Sequence, residues 1–154
     1  MDLEQNNNWS QSVAGVLIRE GRVLLARHTY GSGKGKLIIP GGYCKFGETP
    51  QDALKREWLE ETGLCIEPRE IVSIRFNMHD WYIVFRVEAV GGTETPDGKE
   101  ISEIVWVDLP ELEKRGDVAN LSKRNIHACA EKRGLERTDY ESQGNAYPPY
   151  SLYL

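Results

Sequence analysis

Glu57, Glu60 and Glu61 fall on one side of a helix that the sequence predicts behind the glycine pair Gly41-Gly42. At about 100° per residue, Glu60 lies roughly 60° to one side of Glu57 and Glu61 roughly 40° to the other. Three carboxylates in so narrow an arc repel one another, which ordinary helix surfaces avoid. A hard divalent cation would relieve that repulsion, because Mg²⁺ takes oxygen ligands and keeps waters that a phosphate can displace. An acidic stripe alone is usually a solvated face. The neighbours of these glutamates therefore decide the reading.

The helix has defined ends. Thr49 is a good N-cap, Pro50 suits the first helical position and Asp52 the first turn. Gly63 can leave the helix in a left-handed conformation. Upstream, Ser12–Ile18 and Arg22–Arg27 are short β-branched-rich runs around Glu20-Gly21, a hairpin signal. Thr29–Gly35 reads as a mobile loop, and Leu37-Ile38-Ile39 as a buried strand stopped by Pro40-Gly41-Gly42. Downstream, Cys65–Glu67 and Ile71–Asn77 are strand-like, Trp81–Val90 alternates, and Gly91–Gly98 is turn-rich. Ile104–Val107 is a further strand. Asp117–Arg133 has helical periodicity, with Val118, Leu121, Ile126 and Cys129 or Ala130 facing inward. This order predicts an α/β (α+β) domain, an α/β/α sandwich with a mixed central sheet.

A chain of 154 residues, 40% hydrophobic and 28% charged, suits one soluble domain with a proper core. Residues 1–11, with three successive asparagines, read as a loose arm, residues 12–133 as the domain, and residues 134–154 as a tail. Tyr147-Pro148-Pro149-Tyr150 is extended by proline restriction. Tyr140, Tyr147, Tyr150 and Tyr153 favour docking on the body or on a second copy over solvation, so a homodimer is open. The net charge of −5 argues against nucleic acid and anionic membranes as partners, so a phosphate ligand needs metal or local basic groups. Cys44, Cys65 and Cys129 are odd in number and show no zinc spacing, with Cys65 expected in a buried strand. Without a charged-then-apolar opening or a membrane-length apolar run, the expected address is the cytoplasm.

The stretch GYCKFGETPQDALKREWLEETGL, Gly42 to Leu64, resembles the Nudix box, G-x5-E-x7-R-E-U-x-E-E-x-G-U with U a bulky apolar residue. Gly42, Glu48, Arg56, Glu57, Glu60, Glu61 and Gly63 occupy all seven fixed positions, and Leu64 the last U. At about 7% usage per type, seven such matches arise at a given start by chance roughly once in 10⁸. Trp58 at the first U is apolar but demands more room than an aliphatic residue. Flanking segments around Gly35–Gly42 and Glu103–Pro110 also look like the family's.

The resemblance implies a Nudix fold, Mg²⁺ (or Mn²⁺), and hydrolysis of a nucleoside diphosphate linked to another moiety. By the same resemblance Glu57, Glu60 and Glu61 are the principal metal ligands, with the Gly42 carbonyl and Glu48 beside them. Arg56 orients a carboxylate. Glu61 is the first choice of general base, with Glu100 and Glu103 on a later loop as rivals. Arg27, Lys34, Lys36 and Lys45 are candidates for steering phosphates, and Tyr30, Tyr43, Phe46 or Trp81 for stacking on a nucleobase, with Tyr82 a further substrate-binding candidate. Markers of the family's branches do not settle the substrate: Asp80 stands where some ADP-ribose-cleaving relatives have Pro, while Tyr82 lies where some diadenosine-polyphosphate-cleaving relatives have Tyr. A nucleotide-sensing module without turnover and an RNA 5′-end pyrophosphohydrolase are the competing functions. Retention of all four box glutamates favours catalysis over sensing, and the missing basic stripe counts against RNA.

Overall fold

A computed structural model describes residues 10–78, 80–138 and 152–154. Strand β1 (Ser10–Val16) is followed by β2 (Ile18–Arg19) and β3 (Arg22–His28), joined through Glu20-Gly21. Both turn residues have positive φ, 51° and 74°, as a two-residue hairpin turn between twisted strands requires. Strands β4 (Leu37–Ile38) and β5 (Gly41–Tyr43) lead to helix α1 (Pro50–Thr62). Then come the long strands β6 (Leu64–Phe76) and β7 (Asp80–Gly92), β8 (Ile101–Asp108), a 3-10 turn (Leu109–Lys114) and helix α2 (Asn120–Ala130). Short β9 (Arg137–Thr138) and β10 (Leu152–Tyr153) pair antiparallel. Ser10 and Gln11, expected in the arm, belong to β1; Tyr140, Tyr147 and Tyr150 lie outside the described residues.

The expected mixed sheet has the order β5-β1-β7-β6, with β1 parallel to β7 and the other pairs antiparallel. A second, antiparallel sheet is built on β3, which pairs with β8 along one edge and with β2 and β4 along the other. Between and outside these layers lie two apolar clusters. One gathers Val16, Leu25, Leu37, Val84, Leu112 and Ile126; the other sets Ala53, Leu54 and Trp58 of α1 against Val13, Phe85 and Val87. Helix α1 starts and stops as expected: Thr49 Oγ1 accepts the Asp52 N–H at 3.2 Å, and Gly63 ends it at φ 73°. Such a cap is worth about 1 kcal/mol.

Three local expectations need correcting. The two strand-like segments after α1 are one strand, since register shifts between Cys65 and Ile66 and between Pro68 and Ser73 keep it paired with β7. Cys65 is exposed, because its side chain falls on the solvent side of that edge strand. Leu121 is 42% exposed, and α2 instead turns Ser122, Asn125, Ile126 and Cys129 inward. The two polar residues there bond other segments: Ser122 Oγ accepts the Ile39 N–H at 3.2 Å, and Asn125 accepts from Ser73. Apolar periodicity cannot see an inward face stabilised by hydrogen bonds.

Candidate active site

Helix α1 lies against β5 and β1, so its carboxylates meet the Gly41–Tyr43 backbone. Trp58 makes this seat. Its ring is fully buried and its indole N–H donates to the Pro40 carbonyl at 3.1 Å, fixing the loop that ends in Gly42. The room that the ring demands comes from Gly15 of β1, where a Cβ would stand 2.8 Å from both Trp58 Nε1 and Val87 Cγ1.

From that seat the three glutamates grade from buried to exposed. Glu61 is 3% exposed and accepts the Gly41 N–H at 3.3 Å; Glu60 points largely to solvent. Glu57 presses on Gly42, and a Cβ there would stand 2.6 Å from both of its carboxylate oxygens. Only glycine leaves that space. Burial, and then the charge of Glu57, push the Glu61 carboxyl up to about 8. Burial also raises Glu57, with Glu60 and Glu100 adding repulsion and Arg56 opposing it.

Arg56 ties the group together. Its Nε and Nη2 donate to the two oxygens of Glu48 at 2.6 and 3.0 Å, a bidentate pair. Its Nη1 donates to Glu57 at 2.8 Å and Glu60 at 3.3 Å, and Nη2 also reaches the Tyr43 carbonyl at 3.0 Å. Arg56, with the Lys45 N–H adding a bond of 2.8 Å, holds Glu48 down at about 2. These contacts exceed the surface i,i+4 pair that helix spacing alone would supply.

The donor set suits a hard divalent cation: carboxylate oxygens close to a carbonyl-bearing loop, two of them carrying charge at a cost that a cation would remove. As they stand, no three His, Cys, Asp or Glu side chains among the described residues converge to hold an ion. The Arg56 guanidinium pairs with both Glu57 and Glu60.

The remaining candidates separate. Glu100 lies near enough for its charge to raise both Glu57 and Glu61. Glu103 instead stands directly across from Arg27 on the paired strands β8 and β3, and the two form an ion pair. Arg27 further donates to Asp117 at 3.1 Å and to the Gly35 carbonyl at 2.9 Å, and Lys36 Nζ to the Gly116 carbonyl at 3.1 Å. Both basic groups brace loops. Lys45 is exposed, and Phe46 is wholly so. Tyr82 packs on the first apolar cluster beneath Arg75, whose guanidinium lies 5.5 Å from the ring centre. With Ser32, Gly33, Lys36, Ile38 and Asn120 it lines a cavity of about 360 Å³. A larger hollow of about 770 Å³ is walled by Val72, Val87, Ala130 and the Arg86–Glu70 pair, and neither cavity is lined by an α1 glutamate.

Two further residues enter here: Tyr30, which the sequence offers only for stacking on a nucleobase, and His28, which it does not single out. Tyr30, though 55% exposed, is raised by partial burial and then by the charges of Glu100, Glu61 and Glu57. His28 stacks on it at 6.3 Å, and its buried Nε2 has no hydrogen-bond partner among the described residues. Burial lowers the His28 pKa, keeping the ring neutral. A histidine ending a strand carries no signal by itself.

Known proteins resemble this chain in sequence and in fold. A family model described as the NUDIX domain matches residues 9–129. A MutT-like protein of Streptomyces ambofaciens is 35% identical over 109 residues, covering 69% of this chain and 68% of its own. An ADP-ribose pyrophosphatase of Methanocaldococcus jannaschii is 30% identical over 109 residues, 67% of this chain, which spans 64% of that enzyme's length. Among solved structures, a MutT NUDIX hydrolase from Burkholderia pseudomallei superimposes with a TM-score of 0.71 at 19% identity, covering 78% of this chain and 97% of its own. The last likeness speaks for the fold, and the family match over most of the chain speaks for descent: the chain belongs to the Nudix hydrolase family.

Proposed function

We propose that this chain is a divalent-metal-dependent pyrophosphohydrolase acting on a nucleoside diphosphate derivative, such as ADP-ribose, a nucleotide sugar or a modified nucleoside triphosphate. The observation that carries the reading is the α1 carboxylate group seated on Gly41–Gly42 and organised by Arg56. The named activity of the archaeal relative supports the substrate class. Glu57, Glu60 and Glu61, with the Gly42 carbonyl and Glu48, are the groups that would hold Mg²⁺ or Mn²⁺. When bound, the cation supplies charge neutralisation on the phosphates and a more acidic water.

The protein's own groups do the rest. Burial and the charge of Glu57 favour the protonated Glu61 carboxyl in the metal-free chain; a bound cation would favour the ionised form, which could take a proton from the attacking water. The water oxygen bonds to one phosphorus, the bridging P–O bond breaks, and the departing phosphate keeps the bridging oxygen. Arg56 fixes the carboxylate rotamers by its bonds to Glu48 and Glu57. The cavity beside Tyr82 and Asn120 offers room for the organic part of the substrate.

A panel of phosphoanhydrides with MgCl₂ or MnCl₂, read by mass spectrometry, tests this. The expected product is a nucleoside monophosphate. Tight binding without any product would instead favour a sensor. Glu60→Gln and Glu61→Gln should each lower turnover by about two orders of magnitude or more while circular-dichroism melting stays cooperative. Near-wild-type turnover in both would refute the metal role.

A further inference from the structure

The loop from Thr93 to Ile101 carries Glu100 and is held at three places. At its start, Thr95 N–H donates to the Thr62 carbonyl at 2.7 Å and Thr93 N–H to the Gly63 carbonyl at 3.2 Å. These acceptors follow Glu61 directly in the chain, so the loop is anchored beside it. At its far end the loop meets the end of β3. Thr29 N–H donates to the Glu100 carbonyl at 3.0 Å, and Thr29 Oγ1 to the Lys99 and Glu100 carbonyls at 2.5 and 3.1 Å. Between the two, one oxygen of Asp97 gathers three backbone donors: Lys99, Glu100 and Ile101 N–H at 2.8, 3.0 and 2.9 Å.

This is more order than a connection needs. An Asx-type turn commonly accepts one or two backbone donors, and a loop between sheet strands needs no clip to a third strand. A slip between Arg27 and His28 shifts the β3–β8 register, so Ile101 pairs with His28 and Glu100 lies just past the ladder. Glu103, two residues into β8 from Ile101, is committed to Arg27.

We propose that Asp97 and Thr29 are positioning residues that fix the backbone on both sides of Glu100, so that Glu100, already a candidate by the family resemblance, serves the reaction and Glu103 the scaffold. This rests on the hydrolase reading above. Neither residue hydrogen-bonds the α1 glutamates; both hold the backbone on either side of Glu100, and the charge of Asp97, which Glu61 also feels, is removed with the acceptor kept in Asp97→Asn. The charge of Glu100 felt by Glu57 and Glu61 agrees with the placement.

The test is a double-mutant cycle on whichever phosphoanhydride the wild type cleaves, with thermal unfolding recorded for each variant. Asp97→Ala and Thr29→Val should each lower kcat by about tenfold or more with KM changed less than about threefold. Asp97→Asn and Thr29→Ser keep the acceptor and donor oxygens and should restore most of the rate. In a Glu100→Gln background, Asp97→Ala and Thr29→Val should each change kcat by less than about twofold, because their effect runs through Glu100. Amide exchange at Glu100 and Ile101 should quicken in Asp97→Ala while exchange in α1 does not. Wild-type kcat in Asp97→Ala and Thr29→Val, or losses that multiply fully with Glu100→Gln, overturns the positioning role alone. Should Asp97→Ala not fold, the Thr29 pair decides. A wild type that cleaves no phosphoanhydride overturns the hydrolase reading, and this proposal with it.

Discussion

Glu61 pays for its position whenever it is ionised, and that makes stability depend on pH. Its carboxyl titrates near 8 in the folded chain, above the ordinary carboxylate value of 4.5 that the unfolded chain should show. Between those values the folded state holds a proton that the unfolded state has released. Without metal, stability from this group therefore falls as pH rises through the window, and levels off above it. Glu61→Gln cannot titrate and should escape the loss. Urea unfolding in EDTA should show the variant gaining on wild type from pH 5 to pH 8, by up to a few kcal/mol. A gap that does not change with pH would mean that Glu61 is not buried as described. At this scale Glu57, Glu60 and Glu61 were legible from helical spacing, whereas Gly42, Glu48 and Arg56 were singled out only by the resemblance to the Nudix box. What spacing could not show is that Arg56 reaches five oxygens, or that Glu100 and Glu103 part company. That parting comes from strand register across 76 residues of separation.

Elements were legible where their ends carry local chemistry. Thr49, Pro50 and Gly63 bound α1, and Glu20-Gly21 turns the first hairpin, because caps and turns are decided by neighbouring residues. The reading failed where tertiary partners decide: β6 runs on through irregularities because β7 is there to pair with, and α2 rotates to deliver Ser122 and Asn125. Trp58 belongs to the second kind. Its unusual size at a box position was visible, but the answering gap at Gly15 lies on another element. Gly15→Ala should therefore cost about 1–3 kcal/mol by overpacking. In a Trp58→Leu background the same change should cost much less, as denaturant unfolding of the four proteins would show. Equal costs in both backgrounds would break the link between the glycine and the ring.

Across the whole molecule, β10 near the end of the chain returns to helix α1. Tyr153 packs edge-on against Phe85 with ring centres 5.9 Å apart, and its hydroxyl accepts from Gln51 Nε2 at 3.0 Å, on the first turn of α1. Tyr153→Phe should lose about 1 kcal/mol, the hydrogen bond alone, and Tyr153→Ala about 1–3 kcal/mol, by thermal or urea unfolding. No loss in either variant would mean that β10 contributes nothing to the body. No helix among the described residues is long and apolar enough to cross a membrane. The parallel pairing of β1 with β7 has a kinetic consequence. Strands β6 and β7 are consecutive and can zip up early, whereas Ser10 must find Asp80 across a long stretch of chain. Until that late encounter, β1 cannot brace the Gly41–Tyr43 strand that pairs with it, and the acidic helix has nothing to face. A half-made molecule is thus chemically silent: in refolding experiments, phosphoanhydride cleavage should lag behind the arrival of slow-exchanging amides in the β6–β7 ribbon. Simultaneous recovery of both would mean that the distant strands meet first.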